Sequence, residues 1–296
     1  MSVALAPDAV ATAARKACLL EVGSEKPGNV TPTQPFRDMD YDDFRQSAVA
    51  IGPEMGRAGE RGVGRTILTA IQATRRYTQA NTNLGIVLLF APLAKAALTQ
   101  HNSLRAGLSQ VLRDLTIDDA RSAYRAIRLA RPGGLEAKVQ HDVRAEPTVN
   151  LREAMAGAVA RDSVASEYLS DFAITYERGL PTLKLALDRE GTIDQAISQT
   201  YLALLAAVPD TLIARKHGPE ISREISSGAA RVLAVGGVYS RAGRRAMAAF
   251  DTSLRRADNS LNPGTTADLV AATLFVALLE GVVLPAQSIE NSVQPQ

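Results

Sequence analysis

Apolar residues in this chain recur at three- and four-residue intervals along almost its whole length, and runs that alternate apolar with polar residues are nearly absent. Ile193, Ile197, Tyr201, Leu204, Leu205 and Val208 keep to one face of a helix, and Tyr124, Ile127 and Leu129 after Asp118-Asp119 also read as helical. Such spacing buries a helical stripe and offers no pleated surface for strand pairing. Thr116 before Asp119 and Thr192 before Gln195 read as capping boxes, which start helices by exchanging side-chain and backbone hydrogen bonds. Pro132-Gly133-Gly134, Gly179-Leu180-Pro181, Gly218-Pro219 and Pro263-Gly264 mark breaks between helices. No linker rich in Pro, Gly or Ser and no repeat of solenoid length divides the 296 residues. The expectation is an all-α fold: a single compact domain over 1–296, of roughly ten to twelve helices, with a frayed polar tail at 286–296.

The two most apolar windows, 84–98 and 269–279, are interrupted by Pro92 and Lys95 or bounded by Asp268 and Glu280. Both fall short of the ~20 residues of a membrane span and read as buried core helices. The 33 Lys and Arg residues face 31 Asp and Glu, a net charge of +2, with the two signs interleaved. That distribution fits neither a nucleic-acid tail nor a polybasic membrane anchor, so no nucleic-acid or membrane partner is expected. The first residues lack the basic and apolar regions of a signal peptide, and a cytoplasmic location is expected. Homo-oligomer formation stays open. Cys18, the single cysteine, has no internal disulfide partner and lies in an apolar helical stretch, where a thiol packs as a small hydrophobe. His101, His141 and His217 are scattered, and neither a zinc-type spacing nor a strand-borne nucleophilic serine is present, which argues against triad or zinc hydrolysis.

Chemistry-bearing residues concentrate in a few segments. The loop from Glu21 to Asp40 contains Glu25-Lys26-Pro27-Gly28-Asn29-Val30 and Arg37-Asp38-Met39 between two helical stretches. Pro27 pushes Lys26 out of helical geometry and Gly28 permits a tight turn, which suits either a phosphate site or an ordinary turn with a solvated lysine. Asn81-Thr82-Asn83-Leu84-Gly85 precedes an apolar helix, where its polar groups serve as caps or face an anion at the helix start. Asn262-Pro263-Gly264-Thr265-Thr266-Ala267-Asp268 precedes another. Asp268, in its first turn, either complements the helix dipole or serves Mg2+ or proton transfer. The acidic-to-basic segments 161–168 and 210–217 read as weak surface ion pairs. Gly52, Gly56, Gly59, Gly62 and Gly64, with Arg57, Arg61 and Arg65 between them, either wrap phosphates or permit close helix packing, and match no Walker A or dinucleotide pattern.

These blocks, in this order, resemble the triphosphoribosyl-dephospho-CoA synthase family. The resemblance implies an all-α transferase that joins the triphosphoribosyl part of ATP to the ribose 2′-hydroxyl of dephospho-CoA and expels adenine. It also implies Mg2+ and, by motif position, a set of site residues: Lys26, Gly28 and Asn29 for phosphate, Asn81, Thr82, Asn83 and Gly264 for donor or sugar contacts, and Glu25, Asp38 and Asp268 for metal binding or catalysis. The family pattern has His-x-Asp-Met and Asn-Thr-His-Lys-Gly where this chain has Phe36-Arg37-Asp38-Met39 and Asn81-Thr82-Asn83-Leu84-Gly85. Two alternatives are therefore kept: ribosyl or phosphoribosyl transfer, from ATP or phosphoribosyl diphosphate, to a pterin- or methanofuran-type coenzyme precursor; and a non-catalytic nucleotide-binding protein.

Overall fold

The structure, a computed structural model, describes residues 4–99, 101–133, 141–256 and 259–285. Within them the chain forms fourteen α-helices, and an isolated bridge pairs Thr31 with Gln34. The all-α expectation holds, with more helices than the periodicity suggests because several are short. The tail expected to fray, 286–296, lies outside the described residues.

The first six helices are α1 (Pro7–Gly23), α2 (Tyr41–Gly56), α3 (Val63–Thr74), α4 (Leu84–Ala97), α5 (Leu104–Arg113) and α6 (Ile117–Ala130). Three short ones follow, α7 (Leu151–Ala156), α8 (Ser163–Leu169) and α9 (Leu180–Leu187), the last entered through a π-turn at Thr175–Gly179. The chain closes with α10 (Ile193–Ala207), α11 (Thr211–His217), α12 (Pro219–Ala234), α13 (Arg241–Leu254) and α14 (Gly264–Leu279). Both capping boxes are formed: Thr116 starts α6 with Asp119, and Thr192 starts α10 with Gln195.

Helices α4 and α14 are apolar on all sides and therefore belong in the middle of the molecule. They pack against each other, with Phe90 and Phe275 stacked at 4.2 Å between ring centroids, and α1, α10 and α11 close around α14. Cys18 is buried in this core, and burial pushes its thiol well above the ordinary range, as suits an inert packing residue. The glycine-rich segment resolves as close packing rather than a phosphate wrap at Gly64, where an added Cβ would lie 2.1 Å from the Asp119 carbonyl of α6. Among the described residues no single helix is long and apolar enough to cross a membrane.

Candidate functional site

The polar loop after α1 is built around a buried ion pair. Lys26 is 2 % exposed, and its ammonium stands 3.2 Å from the Glu21 carboxylate. It also donates to the backbone carbonyls of Glu21 and of Ser24, the latter at 2.9 Å. A cation here satisfies the carbonyls left open at the end of α1 and complements the negative end of its dipole. The rest of the loop is fastened from α10 and α13: Tyr201 donates to the Pro27 carbonyl at 2.7 Å, Asp251 accepts from the Gly28 amide at 2.8 Å, and Arg255, just beyond α13, donates to the Asn29 carbonyl at 2.8 Å.

On one side of this loop lies a cavity of about 550 Å³, and three widely separated segments converge on it. Glu21 and Asn29 come from α1 and its loop, Asn81 to Gly85 from the entry to α4, and Gly264, Thr265 and Asp268 from the start of α14. The α4 entry is locked by short-range bonds. Thr82 shares a 2.6 Å hydroxyl bond with Ser47 of α2, the Asn83 amide donates to Thr74 of α3 at 3.0 Å, and Asn81 accepts from the Leu84 amide at 3.3 Å. Asp210 fixes the start of α14. One of its oxygens caps α11 through the amides of Leu212 and Ile213, while the other accepts from the Thr266 amide at 2.7 Å and hydroxyl at 2.8 Å. One buried carboxylate thus sets α11 and α14 relative to each other.

Asp268 occupies the cavity wall against Gly85. A Cβ on Gly85 would lie 2.0 Å from the Asp268 Oδ2, so only glycine leaves the carboxylate its place. Burial raises the Asp268 carboxyl well above its ordinary value, and the negative charges of Glu21, Asp210 and Asp162 raise it further, against a smaller opposing effect of Arg215. Burial likewise raises Glu21, with Lys26 opposing it by charge and hydrogen bond. Two carboxylates of raised basicity therefore share one cavity, one paired with a cation and one not. Gly85→Ala is expected to leave the fold intact, because a terminal carboxylate can move aside, but to cut turnover about a hundredfold through misplacement of Asp268. Unchanged turnover in a variant of unchanged melting temperature would refute that assignment.

The cations of the cavity come from segments that read in sequence as solvated surface pairs. Asp162 caps α8 and receives the Arg215 guanidinium of α11 at 2.9 Å, while Arg215 also donates to the Arg161 carbonyl at 3.3 Å. Arg161, Arg215 and Lys216 line the cavity together with Arg131 at the end of α6. Phe36, Met39, Phe44 and Leu84 supply an apolar wall.

The expected site residues divide between two cavities. Asn29, Asp38, Asn81, Thr82, Asn83, Gly264 and Asp268 line the first. Glu25 and Lys26 line a second, of about 560 Å³, on the far side of the loop. Lys26 is thus not presented to an anion in the first cavity: its ammonium is consumed by Glu21 and two carbonyls. Gly28 lines neither cavity, and its amide is taken by Asp251. Asp38 sits exposed at the rim, accepting from Asn259 at 3.3 Å, and Glu25 is exposed as well. Glu25, Asp38 and Asp268 consequently do not meet, and among the described residues no group of three His, Cys, Asp or Glu could hold a metal ion. The three carboxylates do not fit a resident Mg2+ cage. Glu21 was missed by the motif reading, although a carboxylate set between Leu20 and Val22 in an apolar stretch was a signal of a buried acid.

The chain resembles known proteins over most of its length. The family model described as ATP:dephospho-CoA triphosphoribosyl transferase (CitG) matches residues 7–284. A Stutzerimonas stutzeri protein named probable 2-(5''-triphosphoribosyl)-3'-dephosphocoenzyme-A synthase is 30% identical over 224 residues, 75% of this chain and 66% of that protein. A Lactiplantibacillus plantarum protein of the same name is 26% identical over 288 residues, 90% of this chain and 95% of its own. A crystal structure assigned to triphosphoribosyl-dephospho-CoA synthase, from Archaeoglobus fulgidus, superposes with a TM-score of 0.63 at 27% identity, covering 80% of this chain and 99% of that one. With the family model spanning every helix of the fold, the chain belongs to the ATP:dephospho-CoA triphosphoribosyl transferase family.

Proposed function

We propose that the protein transfers the triphosphoribosyl group of ATP to the 2′-hydroxyl of 3′-dephospho-CoA and releases adenine. The observation that carries this reading is the cavity in which Asp268, of raised basicity and without a cationic partner of its own, lies beside arginines from α11 and the entry to α8. In the reaction the bond from the ribose anomeric carbon to adenine N9 breaks, its electron pair leaving with adenine. A bond from the same carbon to the acceptor oxygen forms. Asp268 takes the hydroxyl proton and gives it up through solvent to the departing adenine. The one proton lost by the acceptor is the one that adenine gains, and Asp268 ends ionised as it began. Positive charge grows on the sugar as adenine departs, and the Glu21 carboxylate in the same cavity stabilises it. Raised basicity suits Asp268 to the task, because a more basic carboxylate, once ionised, takes a hydroxyl proton more readily.

Mg2+ enters this scheme as part of the nucleotide substrate. It is commonly held by phosphate oxygens and waters with one or two carboxylates, so a three-carboxylate cage is not needed. Transfer to another coenzyme precursor and a silent nucleotide-binding role are not favoured, since relatives matched over 75% and 90% of the chain carry the dephospho-CoA name. The test is incubation with ATP, Mg2+ and dephospho-CoA, followed by chromatography for free adenine and a product heavier by one triphosphoribosyl unit. Folded protein that yields neither excludes the reading.

A further inference from the structure

We propose that Arg161, Arg215, Lys216 and Arg131 form a polyphosphate subsite that takes the 5′-triphosphate of the donor nucleotide. The inference rests on the donor reading above and replaces the lysine loop as the place where the phosphates bind. Among the described residues these four are the Lys and Arg side chains that line the first cavity. Lys26, the cation that the loop sequence puts forward, lines the other cavity and is held by Glu21.

The four are placed together by the fold. The Arg215–Asp162 pair joins α11 to the entry of α8 and brings Arg161 alongside, and the Lys216 side chain passes 3.6 Å from the Cβ position of Gly133, two residues beyond Arg131. Part of the hydrogen-bonding capacity of the two arginines nearest Asp162 is left unspent. The Nε atoms of both Arg161 and Arg215, which line the cavity, are buried without a hydrogen-bond partner. Buried guanidinium N–H groups are costly to leave unmatched, and a site so arranged awaits an acceptor. Arginine forks suit phosphate oxygens in paired geometry, and charge-assisted bonds of this kind are the strong ones.

Arg131 adds a backbone argument. It caps α6 in the left-handed conformation, at φ 48° and ψ 54°, where glycine or asparagine is the usual residue. Strained non-glycine backbone occurs at ligand clamps as well as at helix ends, and Arg131 lines the cavity. Its charge also acts on Arg75, which burial and then Arg131 hold below the ordinary value, a like-charge contact that a bound polyanion would relieve.

The experiment uses inorganic triphosphate as the binding probe, measured calorimetrically, together with KM for ATP and for dephospho-CoA in the adenine-release assay. Arg161→Gln is the principal variant, since its side chain makes no ion pair among the described residues; Lys216→Gln, at an exposed position, decides the matter if Arg161→Gln melts early. Arg161→Gln is expected to weaken triphosphate binding and raise KM for ATP about tenfold to a hundredfold. Lys216→Gln should do so less, Arg161→Lys should restore part of the loss, and Arg125→Gln, on the exposed face of α6, should change nothing. Unaltered triphosphate affinity in both Arg161→Gln and Lys216→Gln overturns the proposal. An effect confined to KM for dephospho-CoA also overturns it, by assigning the subsite to the acceptor diphosphate. Triphosphate binding that depends on Arg161 in a protein that releases no adenine would reject the reaction and leave the subsite standing.

Discussion

Asp268→Asn is expected to slow adenine release by about 10²- to 10⁴-fold, the usual range for loss of a general base, while making the folded protein more stable at neutral pH. Both effects follow from one circumstance. The Asp268 carboxyl is raised by burial and by three neighbouring carboxylates, so the folded state holds its proton at pH values where the unfolded chain has released it. Where the folded state binds more protons than the unfolded state, stability falls as pH rises. The window opens near the ordinary value of 3.8 and extends upward to the raised one. An asparagine of nearly the same shape carries no such liability. The difference between variant and wild type should therefore be large at neutral pH and close as pH falls toward 3.8. Urea unfolding at several pH values measures it. The kinetic counterpart is a wild-type kcat/KM that climbs with pH as Asp268 ionises, and a variant profile without that limb. Wild-type turnover in Asp268→Asn would remove the residue from the mechanism, and a stability difference that does not depend on pH would remove the electrostatic cause.

Local rules carried the helices, and tertiary contacts decided the site. The starts of α6 and α10 were legible because a capping box is complete within four residues, as Thr116 with Asp119 and Thr192 with Gln195 show. Helices α7, α8 and α11 span only 6, 7 and 7 residues, too few for periodicity to declare itself. The motif blocks around Asn81 and Asp268 did reach a common cavity, where the contact of Gly85 with Asp268 joins a glycine and an acid that stand far apart in sequence. What the sequence concealed was direction. Nothing local states that Lys26 turns back onto α1, or that Asp162 and Arg215, 53 residues apart, pair across the cavity wall. Charge offsets within a helix suggested surface pairs because they carry no record of partners on other elements.

The second large effect concerns that inward lysine. Lys26→Met is expected to destabilise the fold by about 3 to 5 kcal/mol, the range found when one partner of a buried ion pair is removed. Total stability of a domain is on the order of 5–15 kcal/mol, so much of the variant could unfold at moderate temperature. The loss has two parts. Glu21 is 3 % exposed and would be left without a counter-charge, and the Glu21 and Ser24 carbonyls at the end of α1 would lose their donor. Burial already pushes the Glu21 carboxyl up and the Lys26 ammonium down, each resisted by the other's charge. Without Lys26 the opposition disappears and Glu21 takes up a proton, so the variant should lose stability more steeply than wild type as pH rises. Glu21→Gln with Lys26→Met should be more stable than Lys26→Met alone, because the buried charge is gone while the open carbonyls remain. A double-mutant cycle from urea unfolding separates the two parts. If Lys26→Met unfolds within about 0.5 kcal/mol of wild type, the scatter expected of an ordinary surface change, the lysine is a solvated turn residue after all and the buried pair does not hold the loop. If the single variant is unstable and the double variant is not rescued, the helix-end carbonyls carry the stability, and Glu21 tolerates the cavity without its partner.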